Sequence, residues 1–306
     1  MSDIPFIKDF TPHYGECVQV APGIRRVVAD NPGPFTFYGT GTYILGDGHV
    51  AVIDPGPDLP AHIQALTQAL GREVIEAILI THTHRDHVPA ARPLQALRGG
   101  IAAVPIYGYG PHGGERMGEA VEEGADHSFA PDIRIDDGAI ITGTGWSVEA
   151  VHTPGHTSNH LCFSYREAAE PEGALFSGDH VMGWSTSVIS PPDGNMSDYL
   201  NGLEKLRHRA EDRYYPTHGA PIDNAKTFVG QFIRHRRQRE AQILVAIRDG
   251  ALHVPAMVDA IYSDIPTGLK PAAGRSVLAH LEMLVAEGRV ESDSGDARAA
   301  SRYRLL

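Results

Sequence analysis

The chain has 306 residues, 42% hydrophobic and 21% charged, which places it among ordinary globular proteins with enough length to bury a full core. Its formal net charge of −12 is uneven: residues 1–222 carry 28 acidic against 14 basic side chains, the remainder 10 against 12. An acidic body argues against binding along a phosphate backbone, which calls for a basic face. No run approaches the roughly 20 apolar residues of a membrane span, so no membrane partner is expected. The opening MSDIPFIKDF has neither a basic n-region nor an apolar h-region, and the two cysteines, Cys17 and Cys162, do not make a disulfide framework. A cytoplasmic location is the expectation.

In chain order, 16–20 and 24–29 read as strands about the Pro22-Gly23 turn. Asn31-Pro32-Gly33-Pro34 opens a loop whose Phe35, Phe37 and Tyr38 are candidates for a substrate wall. A hairpin follows at 42–45 and 50–53, ending in Asp54-Pro55-Gly56, where Asp54 is either a turn former or an acceptor behind a metal-bound histidine. Leu59, Ile63, Leu66 and Leu70 mark a helix with His62 on its opposite, solvated face. A central strand over 73–80 and a helix over 88–97 come next, then an irregular excursion at 108–132 with one short helix, in which His112 and His127 read as solvated.

Strands return at 133–135, 139–142, 146–152, 160–165, where Cys162 reads as a small buried hydrophobe, and 174–176. A helix over 198–208 precedes the strand 213–216. After residue 222 a long basic helix (227–247, with Arg234-His235-Arg236-Arg237-Gln238-Arg239), two further helices (254–262, 276–287) and two extended runs (289–291, 301–305) follow the order of a winged-helix module. The expected division is a catalytic domain over 1–222 and a linking helix with winged-helix domain over 223–306.

Chemistry concentrates at strand ends. His82, His84, Asp86 and His87 lie within six residues after the central strand, and His156, Asp179 and His218 follow later strands, each beside a glycine. Imidazole nitrogen and carboxylate oxygen suit zinc, and seven such groups fit two metals when one carboxylate is shared. In extended backbone His82 and His84 point the same way, so they take one metal while Asp86 and His87 turn toward the other. His152, His160 and His180 read as neighbours rather than ligands. Asp86 is the candidate catalytic residue, orienting the nucleophile and shuttling its proton. Trp184, Ser185, Thr186 and Ser187, close after Asp179, are candidates to line the pocket.

THTHRDH, TPGHT, SGDH and PTHG, in that order over roughly residues 14–222, closely resemble the metallo-β-lactamase superfamily motifs. The resemblance implies an α/β fold, a four-layer αβ/βα sandwich with metals at one edge, followed by the small winged-helix domain. It implies that His82, His84 and His156 hold the first metal, that Asp86, His87 and His218 hold the second, that Asp179 bridges, and that Asp54 is the structural aspartate behind them. GTGTYIL, GDHVMGW and the HRRQRE helix look most like the β-lactamase-like protein 2 branch, which includes an endoribonuclease and has thioesterase relatives. Unlike the zinc β-lactamases with a cysteine ligand, this chain has Asp179 where their thiolate stands.

The function expected is a dinuclear metal-dependent hydrolase using a metal-bridging hydroxide, loaded with two Zn2+ (Mn2+ or Fe as alternatives). Its substrate is expected to be a small-molecule ester, thioester or lactone. The alternatives are an endoribonuclease acting on single-stranded RNA and a non-catalytic metal-binding regulator that uses the winged helix. A homo-oligomer is compatible with the sequence.

Overall fold

The protein is described from a computed structural model covering residues 4–113, 124–167 and 170–306; the helix expected within 108–132 falls largely on residues outside that range. Seven strands form the first sheet, in chain order: β1 (Cys17–Ala21), β2 (Ile24–Val28), β3 (Gly41–Asp47), β4 (His49–Ile53), β5 (Val74–Leu79), β6 (Ile106–Gly108) and β7 (Ile133–Arg134). The first four pair antiparallel; from β4 to β7 the pairing is parallel. Helices α1 (Pro60–Leu70) and α2 (Ala91–Leu97) make the crossovers. The second sheet has the order β13-β12-β11-β10-β9-β8, built from β8 (Ile140–Gly143), β9 (Trp146–His152), β10 (Leu161–Glu167), β11 (Glu170–Gly178), β12 (Arg213–Pro216) and β13 (Ile222–Asp223).

The two-residue period of a strand builds the layers. Tyr43, Leu45, Ala51, Ile53, Ala77 and Leu79 face Trp146, Val148, Phe163, Phe176 and Tyr215 across the sandwich. Their neighbours Ile44, Val50, Val52 and Ile78 point the other way, onto Leu66, Leu70 and Leu94 of α1 and α2. On the far face of the second sheet Val151, Cys162, Leu175 and Tyr214 meet Leu200, Leu203 and Leu206 of α3 (Met196–Arg207). Each large side chain so buried contributes about 1.5–3 kcal/mol. Helix α3 starts where the Asn195 side chain accepts from the Asp198 N–H, and Lys205 and Arg207 complement its C-terminal dipole.

The long helix α4 (Ala225–Arg248) serves two cores. Phe228, Val229 and Phe232 pack with Leu175 and Tyr214 of the sandwich, whereas Ile243, Ala246 and Ile247 pack with Val254, Met257, Leu281 and Tyr303 of the C-terminal module. That module comprises α5 (Val254–Ile261), α6 (Lys270–Ala286) and the antiparallel pair β14 (Val290–Ser292) and β15 (Tyr303–Leu305), the winged-helix order read from the sequence. Ala279 and Met283 of α6 also reach the sandwich core, so the module is seated on the second helical layer. Among the described residues no helix is long and apolar enough to cross a membrane.

One expectation fails on α1. His62 is buried, not solvated: its Nε2 lies 3.0 Å from both Pro55 O and Thr42 Oγ1. The inward stripe runs through His62, Ala65, Leu66 and Leu70, and Leu59 and Ile63 are only half-buried, so apolar identity misplaced the face by one position.

Candidate metal centre

The site forms where the strands of both sheets end on one edge. The first sheet contributes Asp54 after β4 and His82–His87 after β5; the second contributes His156 after β9, Asp179 after β11 and His218 after β12. Asp54, in the left-handed region at φ 46°, organises the first half. Its Oδ1 accepts from the Thr81 N–H (2.8 Å), and its Oδ2 from Thr81 Oγ1 (2.7 Å) and His87 Nδ1 (2.9 Å). The acceptor reading of Asp54 is therefore the one the fold uses.

All seven ligand candidates converge, buried, in three overlapping groups: His82, His84 and His156; His82, His87 and Asp179; Asp86, His87 and His218. His84 Nδ1 lies 3.0 Å from His82 Nε2 and 3.2 Å from His156 Nε2. His156 Nδ1 donates to Val188 O (2.7 Å), and His82 Nδ1 lies 3.1 Å from a Thr81 hydroxyl whose proton goes to Asp54. With both Nδ1 protons committed, two lone pairs point at the same place. Asp179 stands between the groups: its carboxylate oxygens lie 3.5 Å from His218 Nε2, 3.6 Å from His87 Nε2 and 3.8 Å from His156 Nε2. Asp179 Oδ1 and His87 Nε2 are buried without a hydrogen-bond partner. Converging lone pairs and buried polar atoms without hydrogen-bond partners fit divalent cations, and the donor set suits them.

In the metal-free protein protons hold the carboxylates in place. Burial would raise Asp86 and Asp179, but for Asp86 the adjacent His87 and His218, and for Asp179 His218 and His87, hold both well below the usual carboxylate range. Burial would lower His218, yet Asp179 and Asp86 raise it to about 10; His87 is raised by Asp86, Asp179 and Asp54. His82 and His84 are driven the other way, by burial and by neighbouring imidazoles, and stay neutral as a ligand must.

The histidines read as neighbours stand outside the three groups. His160 Nε2 accepts from the Asp179 N–H (3.1 Å) and its Nδ1 lies 3.0 Å from Thr153 Oγ1, which reaches the buried Cys162. His152 stacks on Tyr109 at 4.1 Å, and His180 is buried against Tyr199. His112 and His127 correct the sequence reading, because both are partly buried rather than solvated. The His112 ring lies 5.8 Å from that of His84 and its Nε2 is 3.3 Å from Asp193. Phe37 stacks on Trp184 at 4.8 Å beside Gly219, where an added Cβ would come within 3.2 Å of the Trp184 ring. Ser187 turns inward instead, donating to the carbonyls of Asp179 and His180. Residue type did not reveal this use of Ser187, because its partners are backbone carbonyls, which are alike in every residue.

Residues 36–218 match the model of the metallo-beta-lactamase superfamily, and residues 254–298 that of the beta-lactamase associated winged helix domain. The chain belongs to the metallo-beta-lactamase superfamily and is a hydrolase of that class. It is similar to a Beta-lactamase-like protein 2 homolog of Caenorhabditis elegans, 31% identical over 92% of this chain and 90% of that one. It is also similar to an atrochrysone carboxyl ACP thioesterase of Passalora fulva, 32% identical over 77% of this chain and 65% of that one. In fold it matches the crystal structure of a Beta-lactamase domain protein from Burkholderia ambifaria, with TM-score 0.77 and 22% identity over 97% and 96% of the two chains.

Proposed function

We propose that the protein is a dinuclear metal-dependent hydrolase of a small-molecule ester, thioester or lactone. The observation that carries the reading is the Asp179 carboxylate, set 3.5–3.8 Å from imidazoles of two ligand groups, the position of a shared ligand. His82, His84 and His156 would hold one cation and Asp86, His87 and His218 the other, with Zn2+ the first choice and Mn2+ or Fe as alternatives. When bound, such a pair supplies positive charge that eases deprotonation of attacking water and neutralises charge developing on the substrate oxygen.

The chain's own residues do the rest. Asp86 Oδ2, 3.3 Å from Thr40 Oγ1, orients the attacking water and passes on its proton. His218 Nδ1 donates to Gly39 O (3.0 Å), tying the Phe37–Tyr38 loop to the site so that the aromatic wall and the reacting groups move together.

Two observations favour an acyl substrate over RNA. A relative sharing 32% identity is named as a thioesterase. Several basic side chains after residue 222 are already ion-paired: Arg237 and Arg289 share Glu240, Arg304 pairs with Glu291 and Lys270 with Asp259. The test is purified protein loaded with Zn2+ or Mn2+ and assayed on p-nitrophenyl ester, thioester and lactone panels and on single-stranded RNA. Acyl turnover lost in Asp86→Ala is the expected result. RNA cleavage lost in that variant, without acyl turnover, would replace this reading with the nuclease. Metal binding without any turnover would favour a regulator.

A further inference from the structure

We infer that Arg236, on the helix leading into the winged-helix module, is a positioning residue for the metal centre, holding the turn that carries Asp179. The inference rests on the reading of Asp179 as a metal ligand.

Arg236 lies on the buried stripe of α4, between Phe232 and Glu240, and is 4% exposed. A helix that needed only packing there would place an apolar side chain, since a buried guanidinium is costly unless its hydrogen-bonding groups are satisfied. The Arg236 Nε is buried without a hydrogen-bond partner, so the contact made by its other end has to account for the residue. Its Nη2 donates to the Ser187 carbonyl, and its guanidinium lies 5.2 Å from the centre of the Tyr199 ring. Those two residues hold the peptides next to the shared carboxylate. The Ser187 hydroxyl reaches Asp179 O and His180 O, and Tyr199 Oη donates to His180 O across 3.0 Å. On the other side the Asp179 N–H is fixed by His160 Nε2. The Asp179 backbone is thus clamped from both directions, and one side of the clamp closes on a residue from the C-terminal part of the chain. Its neighbour Arg237 pairs with Glu240 and takes no part in the clamp, which makes it an internal control.

The test compares Zn2+ affinity, measured by competition with a chromophoric chelator, with thermal unfolding of the metal-free protein. Arg236→Met keeps the bulk of the stem and removes the donors. The expected result is a Zn2+ affinity lower by about 10–100-fold, the usual effect of losing a support behind a ligand. Metal-free stability is expected to be unchanged or raised. Arg236→Lys should recover part of the affinity and Arg237→Met should match wild type. Ser187→Ala removes the hydroxyl at the far end of the clamp and should lower affinity in the same direction; it decides the matter if Arg236→Met does not fold. Unchanged affinity in a folded Arg236→Met, or in Ser187→Ala, overturns the inference. So does a loss of affinity that only tracks a loss of metal-free stability. A wild-type protein that binds none of Zn2+, Mn2+ and Fe2+ overturns the metal centre as well, whereas a metal-binding wild type with unaffected variants overturns this inference alone.

Discussion

His87 Nδ1 donates to Asp54 Oδ2 across 2.9 Å, with both side chains buried. The same carboxylate takes the Thr81 N–H and hydroxyl, so one side chain fixes both the start of the ligand loop and the ring orientation of a histidine within it. The Thr217 hydroxyl also donates to Asp54, so replacing that residue by alanine strands four buried donors at once. Asp54→Ala should lose about 3 kcal/mol in urea unfolding of the metal-free protein, together with a roughly 10–100-fold drop in metal affinity. Asp54→Asn, which keeps one acceptor oxygen, should fall between. Wild-type metal affinity in Asp54→Ala would show that the loop is oriented by something else.

Metal loading should release protons. His218 carries its proton up to about pH 10, and His87 well above its ordinary range, because the carboxylates beside them outweigh burial. Cations that take their places must displace those protons, about two per chain near pH 7. Calorimetry in buffers of different ionisation enthalpy measures the number, and affinity should fall as pH is lowered. The metal-free protein should behave oppositely. A raised His218 stabilises it fully below the unfolded value near 6.5, and that contribution is lost as pH rises toward about 10. Metal uptake without proton release would contradict this arrangement.

Acid should loosen α1 through His62. Burial lowers its pKa to about 4, with the Pro55 carbonyl opposing, so the folded state keeps it neutral while the unfolded chain protonates it near 6.5. Its contribution is present above pH 6.5 and lost as pH falls toward 4, at most on the order of 3 kcal/mol. The difference in unfolding free energy between pH 7.5 and pH 4.5 should be smaller in His62→Gln than in wild type. An identical pH dependence would remove His62 as the cause.

The stacked pair Phe37 and Trp184 flanks Gly219, next to His218. If the pair forms the substrate wall, Trp184→Ala should raise KM up to about 10-fold, the scale of one aromatic contact, with a smaller effect on kcat. Steady-state kinetics on the best acyl substrate of the panel decides it; a loss confined to kcat would place the pair in support of the ligands instead.

The sequence by itself determined the strand and helix order, because period-two alternation over 43–53 and 146–152 and the apolar stripe of 200, 203 and 206 are local patterns that burial enforces. It also located the seven candidate ligands, since imidazole and carboxylate beside glycine at strand ends is a pattern residue type alone displays. The short strands β6 and β13 were missed, being too brief to show a period. Tertiary structure decided what residue type cannot express. His62 is buried because a carbonyl and a hydroxyl from outside its helix receive it. Arg236 is buried and closes one side of the Asp179 clamp although it sits in the basic run 234–239. Backbone carbonyls at residues 55 and 187 are the partners in these two cases, and a carbonyl is the same in every residue. Only the fold that aims it distinguishes one from another.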